Sequence, residues 1–406
     1  MPMDHAALTA RYAELILRVG VNLEEGQVLR IRAQPEQAGF VRALAEAAYA
    51  AGAAYVYPDF FDNGVKAVRL RHQDAEQARW VPPLFESHFD AAIAGGWANV
   101  SLVPEPETEL FRGIAPDRLA ADTMPRTPGH HRMIGSGRVN WAVVAYPSAE
   151  WAEDVYGSPD VDRLWREFAA CVRLDADDPV AAWHDHVAEL RRRAAALTAR
   201  RFRAIEFEGP GTMLRVGLLP ESIFVGGPHH TEDGREFVPN LPTEECFSAP
   251  DCHRVEGHVR ATRPLFHLGA QIEDLELRFE GGRCVSVSAA DEASAELVRR
   301  EMAEDPGACR LGEVALVDRS SRVFELGTVF RNTLFDENAT CHVAWGQAYA
   351  LSAPGIPEDQ AEARGLNQSA VHTDVMIGGP EVDVRGVDAS GSTVPIITGN
   401  VWQLDG

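Results

Sequence analysis

From Gln27 to Ser148 the chain alternates short β-rich runs with amphipathic ones, and no other feature narrows its fold as much. QVLRIRA (27–33), AAYVYPDFF (53–61) and NWAVVAYPS (140–148) are rich in β-branched and aromatic residues and read as strands. EQAGFVRALAEAAYAAG (36–52), the segment around 63–90 and residues 6–19 carry helical periodicity, and Gly20 and Gly52 stop the first and last-named helices of the opening region. Strands separated by helices predict βαβ units and a mostly parallel sheet. The candidate turns lack G-x-G-x-x-G and G-x-x-x-x-G-K-[ST], so nothing there supports nucleotide binding.

Residues 160–200 read as one continuous helical stretch linking two domains. Past Arg201 the texture changes: FRAIEFEG, TMLRVGLL and CVSVSAA are short strands around Gly and Pro turns, and DEASAELVRREMAED is a helix. The expectation is an α/β N-terminal domain over 1–195, including its helical linker. An α+β C-terminal domain rich in antiparallel sheet follows over 196–406.

The chain has 406 residues and a formal charge of −23, from 38 basic and 61 acidic side chains. That balance repels phosphate backbones and argues against nucleic-acid partners. The densest basic run, Arg191–Arg193 with Arg200 and Arg201, reads as a solvated helix face. No apolar run reaches the length of about 18 needed to span a bilayer. MPMDHAALTARYAELILRVG has neither the basic start nor the apolar core of a signal peptide. The six cysteines form no CxxC pair and suit buried thiols in a reducing compartment. These points place the protein in the cytoplasm, away from membranes.

The clustered ionisable groups lie in the second half. In VHTDVMIGG, His372 and Asp374 are one residue apart, and on a strand both point to one face, an arrangement suited to a divalent metal. In NTLFDENATCHVAWGQAYAL, a loop is expected to give way at Asn338, the cap, to an Ala-rich helix. His342 and Tyr349 would then share a face roughly 10 Å apart along the axis. Glu337 would sit at the helix's positive end. Ala339, Ala344, Gly346 and Ala348 would keep the helix thin. Glu244 and Glu245 precede Cys246-Phe247, and Glu313 opens a buried-looking strand, Val314 to Val317. A carboxylate in such a place must be paired, protonated or metal-bound. A carboxylate-rich set with two imidazoles suits a pair of Zn, Mn or Co ions rather than a thiolate-held structural zinc. His184, His186, His229, His230, His253 and His258 read as surface or packing residues.

The segments NLPTEECFSAP, RVEGHVRATRPL, LGEVALVD, GTVFRNTLFDENATCHVAWGQAYAL, NQSAVHTDVMIG and EVDVRG follow one another as in the thermophilic metallo-aminopeptidase family. With VNWAVVAYPSAEWAEDVYG in the first half, the resemblance covers most of the chain. It implies a metal-dependent aminopeptidase that hydrolyses the N-terminal peptide bond of peptides with a free N-terminus, using a two-metal-activated water. The implied metal ligands are Glu245, Glu313, Glu337, His342, His372 and Asp374, with Glu313 bridging two divalent ions (Zn, Co or Mn). Cys246 stands where Val is usual. Tyr349 is the implied catalytic residue, donating to the oxyanion, and Glu244 and Glu313 are both candidates to carry the proton. A homodimer is implied too. A competing resemblance is to mononuclear Fe(II) ring-cleaving dioxygenases, for which His342, His372 and Asp374 could form the triad. That alternative leaves Glu245, Glu313 and Glu337 without a task.

Overall fold

A computed structural model describes residues 4–104, 110–125, 127–267 and 270–404. The chain divides into two compact units. One comprises the chain up to His184 together with Pro228–Pro242; the other comprises Asp185–Gly227 and the chain from Thr243 onward.

The first unit contains α1 (His5–Leu15), β1 (Val28–Ala33), α2 (Ala38–Ala50), β2 (Tyr55–Phe60), α3 (Pro83–Gly95), β3 (Ala98–Leu102) and β4 (Asn140–Val144). A short strand at Asn240–Leu241 returns to pair with β4, giving the sheet order 240–241, β4, β3, β1, β2. Every pairing in it is parallel, as the alternation predicts. Interior strand β1 (VLRIRA) buries Leu29, Ile31 and Ala33 on one face and Arg30 on the other. Its one charged core residue, Arg30, is paired with Asp59 and donates to Asn99 Oδ1 at 2.5 Å. Helix α2 buries Phe40, Val41, Leu44 and Ala48 along one stripe.

The stretch 160–200 is not one helix. It breaks into Val161–Cys171 and α4 (Pro179–Arg200). Arg173 adopts a left-handed backbone at φ 59°, and Asp178 caps the new helix by accepting from Ala181 N at 3.0 Å. The acidic run before Pro179 is a start signal that outweighs the continuous helical propensity. Arg193 also departs from the expected solvated face, pairing with Asp318 at 2.9 Å and lying over Trp402.

The second unit holds an eight-stranded sheet running Arg283–Ser288, Glu276–Glu280, Pro250–Arg260, Thr212–Leu218, Ala204–Gly209, Asp383–Val387, Thr393–Thr398, Val401–Trp402. It is antiparallel throughout. A second antiparallel sheet contains β5 (Val225–Gly226), β6 (Cys246–Ser248), β7 (Leu311–Leu316), β8 (His342–Gly346) and β9 (His372–Met376), in the order β9-β8-β7-β6-β5. One face of this sheet, carrying Val314, Leu316, Val343, Trp345 and Val375, enters the hydrophobic core. Helix α5 (Glu292–Glu301) contributes Val298 to the same core.

The predicted Ala-rich helix from Asn338 to Leu351 does not form. Thr333–Asp336 is one helical turn, Glu337–Ala339 a 3₁₀ turn, and His342–Gly346 is strand β8. Tyr349 lies beyond it in a loop, ahead of a 3₁₀ turn at Ala350–Ser352. The alanines favour a helix locally, but Val343 and Trp345 must reach the core while His342, Ala344 and Gly346 face the other way, which is a period of two. All five β8 residues are buried, so the strand showed no polar alternation to betray it.

Candidate metal centre

Register places the acids and imidazoles on one face of the second sheet. Residues directly opposite across an antiparallel ladder share a face. Glu313 opposes Ala344, Ala344 opposes Asp374, and Gly346 opposes His372. Phe247 opposes Ala315, which opposes His342. Ala315 and Ala344 thus stand between the larger side chains, and their methyl groups leave room above the sheet. Gly346 has no such freedom of choice: at φ 98°, an added Cβ would lie 2.1 Å from Val371 O.

Two donor triads result. Glu245, Glu313 and His342 offer ligand atoms within 4.8 Å of one another, and so do Glu313, His372 and Asp374. His342 Nε2 is 2.9 Å from Glu245 Oε2 and 3.7 Å from Glu313 Oε1. His372 Nε2 is 3.5 Å from Asp374 Oδ1 and 3.9 Å from Glu313 Oε2. Glu313 therefore turns one oxygen toward each imidazole. Glu337 joins neither triad but lies against the group, bonding Asp374 and acting on Glu245, Glu313 and His342 through its charge.

Both imidazoles are oriented by main-chain carbonyls. His342 Nδ1–H donates to Thr340 O at 3.2 Å, and His372 Nδ1–H donates to Gln347 O at 2.8 Å. That leaves each Nε2 aimed at the carboxylates, the usual arrangement of a metal-binding histidine and its outer partner.

The electrostatics are those of a crowded acidic site in need of positive charge. Burial, reinforced by Glu245, pushes Glu313 up to about 7. Burial and the charges of Asp374 and Glu245 push Glu337 well above the usual carboxylate range. Burial disfavours charge on His342, but the hydrogen bonds it donates to Glu245 and Glu313 outweigh it and raise its pKa well above normal. His372 likewise resists burial through Asp374, which lifts it to about 9. Asp374 is held below the ordinary aspartate value because His372 outweighs its burial. Protons take the place that a divalent cation fills, and oxygen with imidazole donors fit such a cation.

All six sequence-selected metal residues are brought together, although Glu337 arrives from a 3₁₀ turn and His342 from a strand. Tyr349 also arrives, by a different route. Gln347 N donates to Val371 O at 2.7 Å and Ala348 N to Asn367 O at 3.1 Å, which carries the chain over β9. The Tyr349 ring then lies 5.0 Å from that of His372 and 6.2 Å from that of Phe247, 40 % exposed at the edge of the cluster.

Three supporting contacts have no local signature. Asn338, expected as a helix cap, instead accepts from Glu244 N at 2.7 Å and donates to Leu334 O at 2.9 Å, tying together the segments that carry Glu245 and Glu337. His186 Nε2 bonds Thr243 O at 2.8 Å and lies 3.5 Å from Glu244 Oε2. On the far face of the sheet, Glu301 accepts from Trp345 Nε1 at 2.9 Å and Thr373 Oγ1 at 3.1 Å and pairs with His267 at 3.2 Å. Only buriability of a Glu at the end of an amphipathic helix could have flagged Glu301. His229, by contrast, is a packing residue in the first unit, set edge-to-face against Trp141 and Phe237, and burial lowers its pKa to about 4.

The chain is similar over nearly its whole length to known proteins. Aminopeptidase T of Thermus aquaticus is 40% identical over 402 residues, covering 97% of this chain and 98% of that protein. Aminopeptidase 2 of Geobacillus stearothermophilus is 34% identical over 405 residues, covering 97% of each. The structure of wild-type AmpT from Thermus thermophilus superposes with a TM-score of 0.89 at 37% identity, over 99% of this chain and all (100%) of that one. A 2,5-dihydroxypyridine dioxygenase from Pseudomonas putida shares the fold alone, with a TM-score of 0.55 at 13% identity over 97% of this chain and 98% of that one. The model of the thermophilic metalloprotease family (M29) matches residues 6–402, and the chain belongs to that family.

Proposed function

We propose that this metal-dependent aminopeptidase holds two divalent cations, one at Glu245, Glu313 and His342 and the other at Glu313, His372 and Asp374, with Glu337 completing the set. The observation that carries this reading is the sharing of Glu313 between the two triads. Zinc, cobalt and manganese suit such a set of oxygen and imidazole donors. When bound, the ions supply Lewis acidity, polarising a carbonyl and lowering the pKa of water.

The chain's own residues do the rest. The two imidazoles, fixed by carbonyl hydrogen bonds, and the buried carboxylates keep the donors preorganised. The free α-amine of a peptide meets a carboxylate of the cluster, which accounts for N-terminal specificity. Tyr349, at the edge of the cluster, donates its hydroxyl hydrogen to the oxyanion that develops on the scissile carbonyl. Catalysis belongs to the C-terminal half of the chain, 196–406.

The protein works in the cytoplasm as a homodimer in this reading. Among the described residues no helix is long and apolar enough to cross a membrane, and all six cysteines are free thiols. Exposed Tyr55, Trp80 and Leu84 offer apolar surface that a second copy would cover. Chelation followed by metal add-back, with an aminoacyl-anilide as substrate, tests the central claim. Activity should vanish and return with about two ions per chain. Turnover that survives exhaustive chelation overturns it.

A further inference from the structure

Beside the metal face lies a cavity of about 280 Å³ whose wall includes Arg263, Thr340, Gly378 and Phe324, with exposed Glu381 also on its lining. It belongs to the same face of the sheet. His342 is in register with Met376, and Thr340 and Gly378 continue those two strands by two residues, about 7 Å further along. Their contact is close: a Cβ on Gly378 would fall 2.4 Å from Thr340 Oγ1, so only glycine lets this wall form.

The cavity's polar groups are under-used. Thr340 is 2% exposed, and its hydroxyl meets no hydrogen-bond partner among the described residues. A guanidinium has five N–H donors. That of Arg263 gives one hydrogen bond among the described residues, to Thr328 O at 3.2 Å. The charge acting on it from within the protein is that of Asp336, whose two oxygens already accept from Phe330 N at 2.8 Å and Asn332 N at 3.0 Å. Burial outweighs Asp336 and depresses the Arg263 pKa, the behaviour of a cation lacking a full counter-charge. By contrast, the largest charge effects on Glu313, Glu337, His372 and Asp374 come from one another and from Glu245 and His342. The buried cation next door, Arg263, is the group on the cavity wall that an anionic substrate end can meet, and Glu381 on the same lining is exposed to solvent.

We infer that the Arg263 cavity receives the C-terminal carboxylate of short peptides, which makes free-acid di- and tripeptides the preferred substrate class. The inference rests on the reading that the neighbouring cluster takes the amino end. An extended dipeptide unit spans about 7 Å, which matches the offset along the strands. A guanidinium and a hydroxyl converging on one cavity are the donors a carboxylate takes.

The test uses the metal-loaded full chain and three substrates: a tripeptide acid, the same tripeptide with its C-terminus amidated, and an aminoacyl-anilide. The acid should show a KM about tenfold below the amide, the size of one charge-assisted contact. In Arg263→Gln and Arg263→Lys that ratio should fall to near one and to an intermediate value. A merely structural Arg263 would weaken acid and amide together and leave the ratio intact. Equal KM values in the wild type, or a ratio unchanged in Arg263→Gln, overturn the inference while anilide cleavage leaves the aminopeptidase reading standing. If Arg263→Gln does not fold, the wild-type ratio and Arg263→Lys decide. Absence of anilide cleavage by the wild type would instead count against the aminopeptidase reading itself.

Discussion

Trp345 donates its indole N–H to Glu301 at 2.9 Å, on the face of β8 opposite to His342. Thr373 does the same from β9, between His372 and Asp374 in sequence. One buried carboxylate thereby fastens both strands that carry the proposed metal ligands His342, His372 and Asp374. Glu301→Gln loses the charge that faces His267 and weakens each donor. It should cost about 1–3 kcal/mol of stability and weaken metal binding, read by denaturant unfolding and metal titration. An unchanged midpoint would show that the strands hold without it.

The sharing of Glu313 separates the two ions by mutation. Glu313→Ala should lose both, whereas Asp374→Ala should lose one, taking metal content from about two per chain to about one. Elemental analysis after dialysis distinguishes the cases. One ion retained by Glu313→Ala would mean that the triads are independent.

Tyr349 contributes little to the core, since it is 40 % exposed. Tyr349→Phe should keep fold and metal content yet lower kcat on the order of 100-fold, as removal of one oxyanion donor does elsewhere. Steady-state kinetics on a peptide with circular dichroism as control checks this, and an unaltered kcat removes Tyr349 from the chemistry.

Ala344 lies between Glu313 and Asp374 in register. Ala344→Leu should fill the space above the sheet and expel metal, with a cost of about 1–3 kcal/mol from overpacking. Full metal occupancy in a folded Ala344→Leu would show that the space is not used.

The metal-free chain should lose stability as pH rises. Glu313 at about 7 and His372 at about 9 both sit above their unfolded values, so the folded state binds more protons. Their contribution is present below the unfolded pKa values and is lost as pH climbs through about 7 and then about 9. Metal loading releases those protons and should flatten the dependence. Melting curves from pH 6 to 9, with and without zinc, measure it.

The metal residue types and most of the first unit were legible locally. Strands near 28–33, 55–60 and 140–144 announced themselves through β-branched runs, and the H-x-D pair on β9 declared its shared face through a period of two. The strand character of His342–Gly346 was not legible, because its five residues are all buried and the alanines in and around it (Ala339, Ala344, Ala348) favour a helix; the sheet around them decided it. The break between Cys171 and Pro179 likewise depended on a left-handed Arg173 that no periodicity encodes.

The sequence by itself determined which side chains can bind metal, since donor chemistry is a property of residue type. Only the tertiary structure decided which of them meet. Antiparallel register set Ala344 between Glu313 and Asp374, and Asn338, Glu301 and His186 took up supporting positions through contacts distant in sequence. Such contacts depend on strand order and close packing, which no local pattern records.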